Sequence, residues 1–392
     1  MSTGSRSVLR PPSAQDFTSR LRSPAVAARI GVWLAVCFAI TFLTGLVSHY
    51  AQNLDHPVPF PTSPSWGYRV NQGLHVTAGY AAVPLLLVKL WTVFPQLFQR
   101  VPLGDVRRML VHGLERLSIL VLVAAAIFQL VTGVLNSAQW YPWSFSFRPS
   151  HYAIAWVAIG ALAVHVAVKL PIIRDVLLGD VDDTTHDRPG ATESSVLSRR
   201  GLLRSTWAAA AVAVLTTAGS TVPWLREVSV FGVRSGEGPQ GVPINRSAEQ
   251  AGVTSDAVGE AYRLEVAAGD RSVSLTRDDL AAMTQHTEDL PIACVEGWSA
   301  SGTWRGVRVS DVLALVGAPA SSTVVVRSLQ QRGAFATTLL QDNFVADERT
   351  LLALDLNGEE LSLDHGYPCR VIAPNRPGVL QTKWVTRLEV QA

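Results

Sequence analysis

Two kinds of residue in this chain are placed for chemistry: histidines inside apolar runs, and a cysteine in a segment dense with tryptophan and arginine. His151 and His165 stand 14 residues apart in one such run. At about 100° and 1.5 Å per residue they share a helix face, roughly 21 Å apart along its axis. His75 lies near the end of a second apolar run and His112 near the end of a third. Histidine is costly to bury in a bilayer and usually has a task there. Paired by depth, His75 with His151 and His112 with His165, four imidazoles would hold two b-type haems as axial ligands, and electrons would step between them across the membrane. His75, His112 and His151 also lie near span ends, where a histidine is often only interfacial decoration, and His49 or His56 could substitute on the outer side.

The elements that carry these histidines follow from apolar length. A helix needs about 20 apolar residues to span a bilayer. Five segments meet that requirement: Ile30 to Tyr50, Gly73 to Phe94, Leu117 to Leu135, Tyr152 to Leu170 and Ser205 to Leu225. Trp66, Trp140, Trp143 and Trp224 stand near their ends, as in an interfacial aromatic belt. After Leu225 charged and polar residues return at ordinary soluble density. The expected organisation is a tail (1–24), a four-helix bundle (25–173), a linker (174–204), a fifth tethering helix (205–225) and a folded domain (226–392).

Lysine and arginine placement orients the chain. Arg20, Arg22 and Arg29 precede the first span, and Lys89, Arg100, Arg107, Arg108 and Arg116 surround the loop between the second and third. Lys169, Arg174, Arg188, Arg199, Arg200 and Arg204 fill the segment before the fifth, whereas the other two loops hold only Arg69 and Arg148. The N-terminus is therefore expected in the cytoplasm and the C-terminal domain outside. Ser198-Arg199-Arg200-Gly201-Leu202-Leu203-Arg204, followed by a mildly apolar Ala/Thr-rich run, resembles a twin-arginine export signal, although a basic flank alone would explain the arginines. That route carries folded proteins, which implies a cofactor acquired before export and the export machinery as a partner.

Beyond Leu225 the pattern is that of a β-rich α+β domain. A Gly/Pro-rich stretch from Gly236 to Pro243 reads as loop. Strand-like runs follow at Ser272 to Leu275, Thr323 to Ser328, Ala334 to Leu339, Arg370 to Ala373 and Val385 to Val390. Asn357-Gly358 marks a hairpin. Short helices are expected at Arg277 to Met283 and Ser310 to Val316, opened by Thr276 and Ser310 as N-caps. A net charge of +2 in 392 residues, with no basic patch interleaved with aromatics, argues against nucleic acid. Cys37, Cys294 and Cys369 do not make a disulfide framework.

The densest chemistry lies in Leu290-Pro291-Ile292-Ala293-Cys294-Val295-Glu296-Gly297-Trp298-Ser299, with Trp304-Arg305-Gly306-Val307 following. A second block runs from Asp364-His365-Gly366-Tyr367-Pro368-Cys369-Arg370 through Asn375-Arg376-Pro377-Gly378 to Lys383-Trp384. Together the blocks resemble the molybdopterin-binding domain of the sulfite oxidase family. The resemblance implies a molybdenum cofactor with the Cys294 thiolate as metal ligand, a soft donor suited to a transition metal. It further implies that His365, Arg370 and Lys383 hold the pterin and its phosphate, with Asn375 and Arg376 in the same loop; Arg offers a planar fork and Lys a point charge. Cys369 is read as packing.

The chain departs from sulfite oxidases at Val295, Glu296 and Gly297, where those enzymes carry an arginine-bearing segment that helps hold sulfite. Glu296 would repel a dianion, so a sulfoxide or another neutral oxo substrate is easier to accommodate. Residues from Ala25 to Leu170 resemble di-haem transmembrane cytochromes b, through Asn71-Gln72-Gly73-Leu74-His75, Val83 to Lys89, Leu114-Glu115-Arg116-Leu117-Ser118 and His151 to His165. The combined expectation is a membrane-bound molybdoenzyme transferring oxygen atoms outside the membrane and exchanging electrons with the quinone pool. Its rivals are the same enzyme on a haem-free anchor, and a cofactor-free envelope binding domain.

Overall fold

The computed structural model describes residues 12–53, 58, 60–99, 104–232 and 238–391; His56, Arg100, the tail before residue 12, the start of the Gly/Pro-rich stretch and Ala392 lie outside them. Among the described residues, five helices are long and apolar enough to cross a membrane. They are α1 (Pro24–Ala51), α2 (Gly67–Val93), α3 (Val106–Ser137), α4 (Phe147–Leu178) and α5 (Arg199–Thr217). The first four outrun the apolar segments that announce them, because hydrogen-bonded helix continues through flanking polar residues that keep helical propensity. At 32 residues, α3 is about 48 Å long, well beyond a hydrocarbon core of about 30 Å.

The fifth helix departs from the expected range at both ends. It starts at Arg199, inside the basic segment, and stops at Thr217, after which residues 218–220 and 223–228 form 3-10 turns. The stop has a physical cause. Ser229 Oγ accepts from Gly219 N and donates to the Leu215 carbonyl, and Phe231 N donates to the Thr216 carbonyl. The last helical carbonyls thus find partners outside the helix, and Pro223 opens the second turn.

Contacts divide the chain into two compact units. One comprises the described parts of Met1–Ile40, Ala78–Gly133 and Phe145–Val214; the other comprises those of Thr41–Thr77, Val134–Ser144 and Leu215–Ala392. In the first, Val26, Ile30, Leu85 and Val181 form a small apolar core. Arg29 donates to the carbonyls of Val176 and Gly179, and Arg199 pairs with Asp187.

In the second unit two five-stranded sheets are built from β1 (Leu264–Ala268), β2 (Arg271–Leu275), β3 (His286–Ala293), β4 (Ser299–Arg308), β5 (Val324–Ser328), β6 (Thr337–Leu340), β7 (Leu351–Leu356), β8 (Glu359–Glu360), β9 (Arg370–Ile372) and β10 (Val385–Val390). One runs β2-β1-β10-β5-β6 and the other β3-β4-β7-β8, with β9 also on β7. β1 and β10 pair in parallel, and the other ladders described between these strands are antiparallel. Their inner faces bury Leu264, Val266, Val307, Val326, Leu352 and Leu388. Asn357 and Gly358, both at positive φ, turn β7 into β8 as the dipeptide predicts. Thr276 caps the helix Arg277–Ala282, but the next helix, Val309–Ala314, has Arg308 at its N-cap, not Ser310. Val309 N donates to the Thr350 carbonyl, so a tertiary contact satisfies the first N–H of this helix.

Candidate functional site

Cys294 follows β3 and opens a tight turn that returns as β4. Its N–H donates to the Trp298 carbonyl at 2.9 Å, and Gly297 N donates to the Cys294 carbonyl at 3.1 Å. Gly297 stands at φ +79, a left-handed conformation that costs glycine little. Cys294 is 0% exposed, in an apolar cluster with Ile292, Trp298, Ala300 and Trp304. A group as large as a pterin reaches its sulfur only when neighbouring chain is displaced.

Cations converge on the same turn. Lys383 Nζ donates to the carbonyls of Arg246 (2.7 Å) and Asp364 (2.8 Å), while Cys294 and Glu296 lie within electrostatic reach of it. Burial, followed by repulsion from Arg370, pushes the Lys383 ammonium down to about 7. Arg370 is 2% exposed and donates to the carbonyls of His365 and Gln381, with its guanidinium 5.0 Å from the Trp304 ring centre. Burial pushes Arg370 down to about 9. His365 Nε2 faces the carbonyls of Pro239 (2.8 Å) and Val242 (3.0 Å), which only accept, so this nitrogen carries the proton. Burial, then the Arg370 charge, pushes the ring down to about 4, which makes His365 a neutral donor at pH 7. Gly366, at φ +111, lets this loop run against Lys383: a Cβ there would meet Lys383 Cβ at 2.9 Å.

Arg376 takes separate partners, the carbonyls of Leu380 and Leu339 and the Phe344 ring, and burial pushes it down to about 9. The Asn375 side chain accepts from Tyr68 N and donates to the Pro61 carbonyl. Cys369 is fully buried beside Tyr262 Oη (3.2 Å), its thiol raised to about 11 by burial, and none of the three cysteines forms a disulfide among the described residues. That is a packing thiol.

The donor set suits a phosphate-bearing metal cofactor. Arg370, Arg376 and Lys383 place their hydrogen bonds on backbone carbonyls. The Nε atoms of Arg370 and Arg376 are buried without a hydrogen-bond partner among the described residues. Buried charge balanced only by dipoles is costly, and a bound anion relieves it. Cys294 adds the soft donor within reach of Lys383.

The histidines of the long apolar helices share a device that the sequence reading missed. Thr44 Oγ1 lies 3.0 Å from His75 Nδ1, and a Cβ on Gly45 would stand 3.3 Å from the same ring. Thr132 Oγ1 lies 2.8 Å from His151 Nδ1, and a Cβ on Gly133 would stand 3.8 Å from that ring. A Thr-Gly pair on one helix thus fixes a histidine on the next, twice. His112 and His165 both lie within electrostatic reach of Glu115, which is paired with Lys169. His112 Nε2 is buried without a partner among the described residues.

Residues far from the cysteine in sequence also hold its turn. Gln72 Nε2 donates to the Cys294 carbonyl (3.4 Å), Asn136 Nδ2 to the Val295 carbonyl (3.0 Å), and Ser220 and Thr221 to the Gly297 carbonyl. No local signal marks them.

Residues 251–392 match the family described as oxidoreductase molybdopterin binding domain. An uncharacterized oxidoreductase, YuiH, of Bacillus subtilis (strain 168) is 31% identical over 121 residues, covering 31% of this chain and 60% of that protein. The mitochondrial sulfite oxidase of Drosophila melanogaster is 30% identical over 156 residues, 33% of this chain and 27% of that one. The chain therefore spans less than two thirds of either relative. The crystal structure of the sulfane dehydrogenase SoxCD from Paracoccus pantotrophus overlaps 33% of this chain and 38% of its own, at 24% identity and a TM-score of 0.30, which carries no argument about fold. The C-terminal part is a molybdopterin-binding oxidoreductase domain.

Proposed function

From that oxidoreductase domain we propose a membrane-bound molybdoenzyme that transfers oxygen atoms to or from a small oxo substrate outside the cytoplasmic membrane. The observation that carries this reading is the set of buried cations, Arg370 and Lys383, whose hydrogen bonds among the described residues go to backbone carbonyls, near the buried Cys294. Bound there, a molybdenum-pterin group supplies two-electron oxygen-atom chemistry. The chain's part is to bind and orient it: Cys294 as thiolate ligand, Arg370 and Lys383 on the phosphate, His365 as neutral donor, and Arg376 and Asn375 shaping the adjoining loop. Glu296, whose carboxylate accepts from Trp298 Nε1 (3.2 Å), brings negative charge beside the thiolate and favours a neutral substrate such as a sulfoxide.

The helices conduct electrons in this proposal. A histidine whose Nδ1 bonds to a hydroxyl presents Nε2 as its ligand nitrogen, and this second contact fixes the ring. Thr44 and Thr132 provide that contact for His75 and His151. With His112 and His165 they would supply the ligands of two b-type haems. Quinone exchanges electrons with the bundle, and a cavity of about 200 Å³ lined by Arg29, Trp33, Thr206 and Trp207 has the aromatic edges and donors a quinone ring would use. The N-terminus is cytoplasmic, and the twin-arginine segment at Arg199-Arg200 exports the loaded domain.

A reduced-minus-oxidised optical spectrum and metal analysis of the full-length membrane protein test this reading. Haem b bands and molybdenum are expected together. Cys294→Ser abolishes turnover and leaves the haem bands intact. Molybdenum without b-type bands would instead support a haem-free anchor.

A further inference from the structure

We propose that the chain holds a second anion site, for a phosphate-type oxyanion, formed by Arg69, Arg226, Ser299 and Ser301 beside the cysteine turn. All four belong to one compact unit. Neither arginine lies within the stretch that matches the molybdopterin-binding family, residues 251–392.

Ser299 and Ser301 alternate along β4 and so point from the same face of the sheet. Ser299 pairs with Ala293, the residue before Cys294, which puts this face next to the proposed metal ligand. Arg69, in the first turn of α2, donates from Nη2 to Ser301 Oγ at 2.8 Å. Arg226, in the turn after α5, reaches the Ser299 carbonyl with Nη2 at 3.5 Å, a weak contact. The two guanidiniums are near enough for their charges to repel.

Three polar atoms of these residues are buried without partners among the described residues: Arg69 Nε, Arg226 Nε and Ser299 Oγ. Ser299 is 1% exposed. Two half-buried arginines that repel each other beside a buried, unpartnered hydroxyl are unfavourable unless an anion joins them. A tetrahedral oxyanion satisfies all three: it accepts from both guanidiniums in the planar-fork geometry suited to phosphate and from the serine hydroxyl. The shared chemistry is a phosphate group, free in solution or on an anionic lipid head. Occupancy would tie α2 and the segment after α5 to the strand that leads from Cys294.

The test uses the full-length protein, with binding read from thermal unfolding and from retained lipid by native mass spectrometry. In phosphatidylcholine nanodiscs, inorganic phosphate should raise the Tm saturably. Arg69→Gln or Arg226→Gln should weaken that effect about tenfold or more, as expected for one lost charge-assisted bond. Ser299→Ala should weaken it less, and the exposed Arg332→Gln not at all. Without phosphate, Arg226→Gln should not lower the Tm, since it removes repulsion; a purely structural arginine would lower it. If free phosphate has no effect but phosphatidylglycerol is retained by wild type and lost in Arg226→Gln, the site is a lipid-head site. If neither binds, or chloride at equal ionic strength protects equally, the proposal is overturned. The readouts need neither turnover nor molybdenum, so this site and the proposed enzyme stand or fall separately.

Discussion

Arg199 and Arg370 are buried to nearly the same depth, at 6% and 2% exposure, yet the chain treats them differently. Arg199 pairs with Asp187 and donates to the carbonyls of Arg20, Val181 and Asp183. Arg370 has two carbonyls, an aromatic face and an Nε with no partner among the described residues. The first charge is neutralised within the fold. In the proposed reading the second is neutralised by the bound cofactor. Burial of a cation therefore says little by itself, and the identity of its counter-charge separates a structural arginine from a binding one.

Replacement by an apolar residue sharpens this contrast. Arg199→Met strands the Asp187 carboxylate, which is 10% exposed, and should cost about 3–5 kcal/mol in chemical denaturation. An unchanged midpoint would mean the pair contributes nothing. Arg370→Met should leave the cofactor-free fold as stable as wild type or more so, because it removes an uncompensated buried charge. Its penalty should appear in cofactor retention, lowered about tenfold to a hundredfold for one or two lost charge-assisted bonds. A loss of stability as large as that of Arg199→Met would erase the distinction.

The pH dependence has a definite sign. His365 titrates at about 4 when folded against an ordinary 6.5, and Lys383 at about 7 against 10.5. In each interval the unfolded chain holds a proton that the folded chain lacks, so stability rises with pH. The cofactor-free protein should gain stability between pH 4 and 6.5, and again between pH 7 and 10.5. Lys383→Met should reduce the upper rise, most clearly between pH 7 and 9, below the values of Arg370 and Arg376, and leave the lower one. The smallest effect belongs to Arg200, exposed beside Asp180 and Asp182. Arg200→Gln should leave thermal stability within error, so failure of its C-terminal domain to reach a protease outside the membrane would be a defect of export, whereas normal delivery would argue against the twin-arginine reading.

Much of the fold was legible because its signals are local. Apolar length predicts α1 to α4, Asn357-Gly358 predicts the β7–β8 turn, and Thr276 predicts its helix. The two long strands flanking Cys294 were not anticipated. Pro291 interrupts β3, and Gly302 and Gly306 dilute the β-signal of β4, so both depend on pairing with each other rather than on propensity. The site divides in the same way. Cys294, Arg370 and Lys383 stand in dense local blocks, but Gln72, Asn136 and Thr221 act on the cysteine turn from segments whose own neighbourhoods are ordinary apolar helix and connecting turn. Only tertiary structure brings them there.

Molybdenum K-edge absorption spectroscopy on full-length wild type and Cys294→Ser, isolated from molybdenum-replete cells, tests the central claim most directly. Wild type should contain molybdenum with one more sulfur neighbour than any metal that survives in the serine variant. Identical sulfur shells in the two proteins, or no molybdenum in the wild type, would contradict it.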